Sequence, residues 1–303
     1  MSSSSPRIVS VFGATGLQGG ALISALLADG TFTPRAISRD PDSAASKQLK
    51  ARGVEVVRGD PGMKDGLVEV LKGSEAVFAV TMPNVFTPDQ PNEVAQGKDI
   101  VDAAKEAGVK FFVYSSLPNM TKLSRGKYTA CSIYDDKASI QEYLESSGLP
   151  HASLLLPAFL ENFSKLNMLK ETPTGYELSL TCYPPEAPST YVWVARDVPA
   201  AVLALLKNYN SKGKEIVGKA FPVVTGRLTH EELARMVGGV LGKEVKYVEG
   251  PKTGMPVIDE MWTALAEYSG LYTDTPIANP DLVKLGVELS SVEEFVRVEV
   301  GGR

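Results

Sequence analysis

The chain has 303 residues, 44% of them hydrophobic and 22% charged, with a formal net charge of −5. Such a composition describes an ordinary globular protein with ample core, and an acidic chain without a dense Lys/Arg run argues against a nucleic-acid surface. With only Cys131, Cys182, His151 and His230, neither a disulfide framework nor a His-rich metal site is expected.

Met1–Pro6 has no apolar run and reads as a short flexible tail, not a secretory signal. No apolar stretch nears the roughly 20 residues of a membrane helix. The implied setting is a reducing cytoplasm, with the nucleus left open.

From the N-terminus, β-branched runs alternate with helical patterns. Ile8–Phe12 is a predicted strand, and Leu22, Ile23, Leu26 and Leu27 recur at helical spacing up to Asp29-Gly30. Thr33–Ser38, Val54–Val57, Ala76–Val80, Lys110–Tyr114 and Ala152–Leu156 are further predicted strands. Between them lie predicted helices at Asp42–Arg52, Leu67–Leu71, Glu93–Ala107 and Ile133–Ser147. About six strand–helix units of this kind imply a doubly wound parallel sheet of Rossmann type.

After Pro157 the rhythm breaks. Thr172–Ser189 is rich in Pro, Gly and Thr and is expected to be loop or irregular strand. Tyr191–Val194 reads as a strand, Asp197–Leu206 as a helix, and Phe221–Val224 as a return to the sheet. Thr229–Glu232 and Ser291–Glu294 have the pattern of capping boxes. The expected division is a dinucleotide domain over 1–157 and a smaller α+β domain over 158–303, with part of about 191–225 rejoining the sheet.

Gly13, Gly16 and Gly19 form a GxxGxxG pattern between the first strand and the first helix. The first glycine lets the chain turn out of the strand. The second lets backbone amides approach a pyrophosphate, and the third lets helix and strand pack closely. The helix start then offers free N–H groups and a positive dipole end to phosphates. Gly13, Ala14, Thr15, Gly16, Leu17 and Gln18 are therefore candidate cofactor residues.

The tip of the second strand reads Ser38-Arg39-Asp40-Pro41. An acid at this place binds a ribose 2′-hydroxyl, whereas an Arg suits a 2′-phosphate, so Arg39 with Ser38 points to NADP(H). Asp40 is expected to cap the following helix. Asp60, at the tip of the third strand, either contacts the adenine amino group or closes a turn before Pro61. Thr81 and Met82 end the fourth strand, where the nicotinamide ribose would run, and Asn84 and Phe86 share that loop.

These segments, with Tyr114-Ser115-Ser116-Leu117 and Leu156–Phe163, resemble the NmrA-like family of atypical short-chain dehydrogenase/reductase proteins. The resemblance covers about residues 7–165 well and is looser beyond. It is nearest to the branch that senses NADPH. It implies that Gly13 to Gln18, Arg39, Asp60, Thr81, Lys137 and the run Phe159, Leu160, Glu161, Asn162 line NADP(H), with Lys137 reaching the nicotinamide ribose.

Short-chain dehydrogenases use a Tyr and a Lys four apart on one helix face. Here Ile133 stands four before Lys137 and Tyr134 only three, displaced by about 100° around the helix. Three readings stay open: Tyr134 acts from a shifted helix, Lys137 is the sole acid/base, or the site binds cofactor without turnover. Ser115 and Ser116 lie where a catalytic serine would. The favoured function is an NADPH-dependent reductase of a small carbonyl, imine, quinone or activated alkene. The alternative is a non-catalytic NADP(H) sensor acting through protein partners, and a homodimer is compatible with either.

Overall fold

The computed structural model describes residues 6–86, 88–89 and 92–302. Met1–Ser5, read from sequence as a flexible tail, lie outside the described residues. The chain forms two compact units, residues 1–119, 133–155 and 198–221 in the first, and 120–132, 156–197 and 222–303 in the second. The division is interleaved in sequence, because segments distant along the chain pack into one core.

In the first unit the strands are β1 (Ile8–Val11), β2 (Thr33–Ser38), β3 (Glu55–Arg58), β4 (Ser74–Ala79), β5 (Phe111–Ser116) and β6 (His151–Leu155). They lie in a seven-stranded sheet whose order is Lys219–Pro222, β6, β5, β4, β1, β2, β3. The pairs β1–β2, β1–β4, β2–β3, β4–β5 and β5–β6 are all parallel. Helices α1 (Leu17–Asp29), α2 (Ala44–Ala51), α3 (Leu67–Leu71) and α4 (Glu93–Glu106) alternate with the first strands. The order reverses at β1, so the carboxyl ends of β1 and β4 flank the crevice where doubly wound sheets take ligands.

The central strands carry apolar side chains on both faces, as a parallel sheet covered by helices requires. Phe12, Val77, Ile100, Phe112, Tyr114, Ile140 and Leu144 share one buried cluster. Of the stretch 191–225, the strand Lys219–Pro222 joins this sheet. The segment before it is tied to the unit by Tyr209, which stacks on Phe111 at 4.6 Å and donates to Glu75 at 2.8 Å. Glu75 also holds Arg7 through two hydrogen bonds of 2.9 and 2.7 Å.

The second unit has two three-stranded sheets. In one, Pro188–Val192 pairs antiparallel with Gly226–Thr229 and parallel with Ala158–Phe159. In the other, Gly175–Thr181 pairs antiparallel with Leu169–Thr172 and parallel with Glu244–Gly250. Of the loop or irregular strand expected over 172–189, Gly175–Thr181 and the start of Pro188–Val192 are strand. Its turn residues hid a period-2 signal, Leu178 and Leu180 being buried while Tyr176, Glu177, Ser179 and Thr181 are partly exposed.

The expected strand Tyr191–Val194 ends at Val192, and the helix expected from Asp197 starts at Val194. The cause is a distant cap: Glu161 accepts hydrogen bonds from the Val194 and Ala195 N–H groups at 3.2 and 2.8 Å. At Thr229 both halves of the capping box are present, while at Ser291 the side chain accepts from Glu294 N–H.

His230, the first residue of the helix His230–Leu241, is fully buried. Its ring stacks on Tyr247 at 5.0 Å and meets the edge of Tyr183 at 4.5 Å. Neither ring nitrogen has a hydrogen-bond partner among the described residues. Nothing there stabilises an imidazolium, so burial pushes the His230 pKa down to about 3. The unfolded chain, titrating near 6.5, takes the proton first as pH falls. Stability contributed by neutral His230 is thus intact above about 6.5 and is lost progressively down to about 3. Between pH 7 and pH 5 this group alone should lower unfolding free energy by roughly 2 kcal/mol. Urea titrations of wild type and His230→Phe at both pH values check this; an identical pH dependence in the two would refute it.

Candidate cofactor-binding site

The chain leaves β1 at Gly13, whose φ of +69° is in the left-handed region. A Cβ at Gly13 would lie 2.5 Å from Val80 Cγ1, and one at Gly19 would strike the Gly13 carbonyl group. Both glycines are required by the protein's own packing. Gly16 differs. It is exposed, it precedes α1 in an extended conformation (φ −90°, ψ −178°), and its Cβ would meet only Gly13 O at 3.3 Å. The direction a Gly16 side chain would take is open, as a group approaching the backbone from outside needs.

No side chain caps α1, and its first turn holds no acid. The leading N–H groups of the helix, from Leu17 onward, therefore point outward with the positive end of the helix dipole. Gln18 is buried and its Oε1 has no hydrogen-bond partner among the described residues. Ala14 is buried, Thr15 exposed and Leu17 half-buried. An open glycine and uncapped amides together fit the pyrophosphate of a dinucleotide.

At the β2 tip Arg39 is exposed, and among the described residues its guanidinium has no hydrogen-bond or ion-pair partner. Its carbonyl accepts from Arg58 Nη1 at 2.8 Å. The β2–β3 register Ser38↔Arg58 sets this second exposed arginine at the neighbouring strand tip. Ser38 is already engaged, sharing a 3.0 Å hydrogen bond with Ser46 Oγ and accepting from Asp40 N–H at 3.2 Å. Asp40 does not cap α2; Ser43 does, through Ser46 N–H. Asp40 instead closes a local turn onto Asp42 N–H at 3.0 Å. Asp60 Oδ1 likewise accepts from Gly62 N–H at 2.9 Å.

Beyond β4 the structure assembles a buried polar cluster. Lys137, on the helix Ser132–Ser146, is 7% exposed and Glu93, which opens α4, is 0% exposed. Lys137 Nζ donates to Glu93 Oε1 at 2.6 Å, to Thr81 O at 2.7 Å and to Thr81 Oγ1 at 3.2 Å. The Thr81 hydroxyl donates to Glu93 Oε1 at 2.6 Å and meets Tyr114 OH at 3.0 Å. Burial pushes the Lys137 ammonium down from its ordinary value, and the Glu93 carboxylate opposes that shift. Burial raises the Tyr114 phenol well above its usual value, so it stays neutral.

Tyr134 is buried, as are Ser115 and Ser116. Among the described residues the Ser116 hydroxyl makes long contacts, 3.4 Å to Leu117 O and 3.5 Å to Lys137 O. Met82 and Phe86 are exposed. Asn84 accepts from Glu93 N–H. In the second unit Phe159 and Asn162 are half-buried and Leu160 is fully buried. Glu161 spends its carboxylate on the helix cap described above, and burial raises its pKa. Among the described residues no group of three or more His, Cys, Asp and Glu could hold a metal, and no helix is long and apolar enough to cross a membrane.

Two site residues escaped the sequence reading. Arg58 stands two residues before Asp60 at the same strand tip, so its position is visible in the sequence. Glu93 follows Asn92, whose side chain caps α4, and in sequence is indistinguishable from any acid in a first helical turn.

A doubly wound parallel sheet with a glycine loop after β1 defines a Rossmann-type dinucleotide-binding fold. The model of the NmrA-like family matches residues 5–296, and the chain belongs to that family. It is 40% identical over 163 residues to the NmrA-like family domain-containing oxidoreductase notA of Aspergillus sp. (strain MF297-2). That match takes in 52% of this chain and 47% of the relative, so the chain spans about half the length of that curated protein. An NmrA-like family domain-containing protein of Dictyostelium discoideum is 29% identical over 306 residues, covering 95% of this chain and 96% of that one. Among solved structures, NmrA, a negative transcriptional regulator in complex with NADP, superposes with a TM-score of 0.78 at 21% identity, over 97% of this chain and 95% of that one. This last likeness is one of fold.

Proposed function

We propose that this chain is an NADP(H)-dependent reductase of a small carbonyl, imine, quinone or activated alkene. The observation that carries the cofactor choice is the pair of exposed guanidiniums, Arg39 and Arg58, at adjacent strand tips beside the glycine loop. Two guanidiniums suit the 2′-phosphate that distinguishes NADP(H) from NAD(H). The amides opening α1, cleared by Gly16, bind the pyrophosphate. The name of the Aspergillus relative supports the oxidoreductase class, and the NADP complex of NmrA supports the cofactor.

Bound NADPH supplies a hydride. The protein's part is to fix that cofactor and to present a charged donor, Lys137, at the end of β4. Arg39→Ala should weaken NADPH binding by about 1.5–3 kcal/mol, the scale of one charged hydrogen-bonded contact, and leave NADH binding nearly unchanged. Calorimetry with both cofactors tests this. Equal affinity of wild type for NADPH and NADH would sink the cofactor choice.

A second reading, an NADP(H) sensor acting through a protein partner, is favoured by one observation. All three Lys137 N–H groups are committed inside the protein, and no Tyr stands four residues before it. NADPH oxidation against a panel of quinones, aldehydes and imines separates the two, since a sensor binds NADPH without turnover.

A further inference from the structure

We propose that Glu93 is a positioning residue of this site: its carboxylate and the Thr81 carbonyl pin two of the three Lys137 N–H groups, and the third exchanges its bond to Thr81 Oγ1 for one to a hydroxyl of the bound ligand. The inference rests on the NADP(H) reading above, which identifies that hydroxyl as one on the nicotinamide-side ribose.

The three bonds of the ammonium are not equivalent. Those to Glu93 Oε1 and Thr81 O are 2.6 and 2.7 Å, and that to Thr81 Oγ1 is 3.2 Å. Releasing either short bond strips a buried carboxylate oxygen or carbonyl of its ammonium donor, which is costly. Releasing the long one leaves nothing unsatisfied. The Thr81 hydroxyl still donates to Glu93 Oε1 and still has Tyr114 OH at 3.0 Å. The exchangeable N–H is thus the one on Thr81 Oγ1.

Glu93 is itself held rigidly. It opens α4, its backbone N–H donates to Asn84 Oδ1, and the Asn92 side chain caps the next turn. Its second carboxylate oxygen has no partner among the described residues, and Lys137 is the one cation paired with it there. The other ionisable groups facing the pair are Tyr114 from β5 and Asp136 from the lysine's own helix. Burial and the nearby Glu93 raise the Asp136 pKa, which weakens its competition for the ammonium. Burial lowers the Lys137 pKa, and the Glu93 carboxylate opposes that shift, supporting the charged donor.

The test begins with the ligand-free full chain. In lysine-labelled NMR, the Lys137 resonance should hold its charged position from about pH 6 to about pH 9, and Glu93→Gln should bring its titration into that range. NADPH isotherms supply a second readout. Wild-type affinity should change by less than about threefold between about pH 6.5 and 8.5, while that of Glu93→Gln should fall by about tenfold or more as pH rises. Glu93→Asp should restore the flat profile, which a merely structural role would not produce. Loss of the Lys137 proton in wild type within that range, or a flat profile in Glu93→Gln, would overturn the proposal. If Glu93→Gln does not fold, the wild-type titration decides alone. A wild type that binds no NADPH removes the cofactor reading, and the lysine titration still decides whether Glu93 holds the charge.

Discussion

Gly16→Val should abolish NADPH binding while leaving the protein folded. The backbone there is extended, at φ −90° and ψ −178°, which a β-branched residue adopts without strain. The new Cβ meets only Gly13 O at 3.3 Å inside the protein. Replacing Gly by Val at a helix N-cap lowers stability by roughly 1 kcal/mol. The valine methyls, however, occupy the space through which a pyrophosphate would approach the first amides of α1. In thermal melts, wild type should gain stability from NADPH by mass action and Gly16→Val should gain none. A variant that gains as much as wild type would place the phosphates elsewhere.

Gly19→Ala should do the opposite, lowering stability by about 3 kcal/mol or more. Its Cβ would sit 2.6 Å from the Gly13 carbonyl carbon and 2.9 Å from Ala14 Cα. These are backbone atoms of the turn that β1 and α1 share, and they cannot step aside as a flexible side chain can. Alanine is the better helix former by about 1 kcal/mol, but overpacking against backbone outweighs that gain. Urea denaturation at pH 7 reads the loss. A variant as stable as wild type would show that α1 can slide along the sheet. Together the two variants separate a glycine kept for a ligand from one kept for the fold, although both belong to the same motif.

The alternation of short β-branched runs with helices stopped by glycine was enough to read the Rossmann class and its first six strands, with boundaries mostly within two residues. Those signals are local: two residues per repeat along a strand, 3.6 along a helix, and a glycine wherever φ turns positive. The glycine loop and Arg39 were legible for the same reason, since a strand, a turn and a helix start are contiguous in sequence. Where local signals competed, the reading slipped. The turn residues between 172 and 189 masked a hairpin, and the start of the helix at Val194 is set by Glu161, more than thirty residues earlier. The sequence by itself determined the sheet, the glycine loop and the residue type at the β2 tip. Only the tertiary structure decided which residues share the space beyond β4. It brings Thr81, Glu93, Tyr114 and Lys137, which span 56 positions of chain, within hydrogen-bonding reach of one another. It also decided that Lys137 faces a buried carboxylate. Such an ion pair leaves no periodicity in the chain, because its partners are joined by the packing of α4 and the Ser132–Ser146 helix against the sheet and not by spacing along either one.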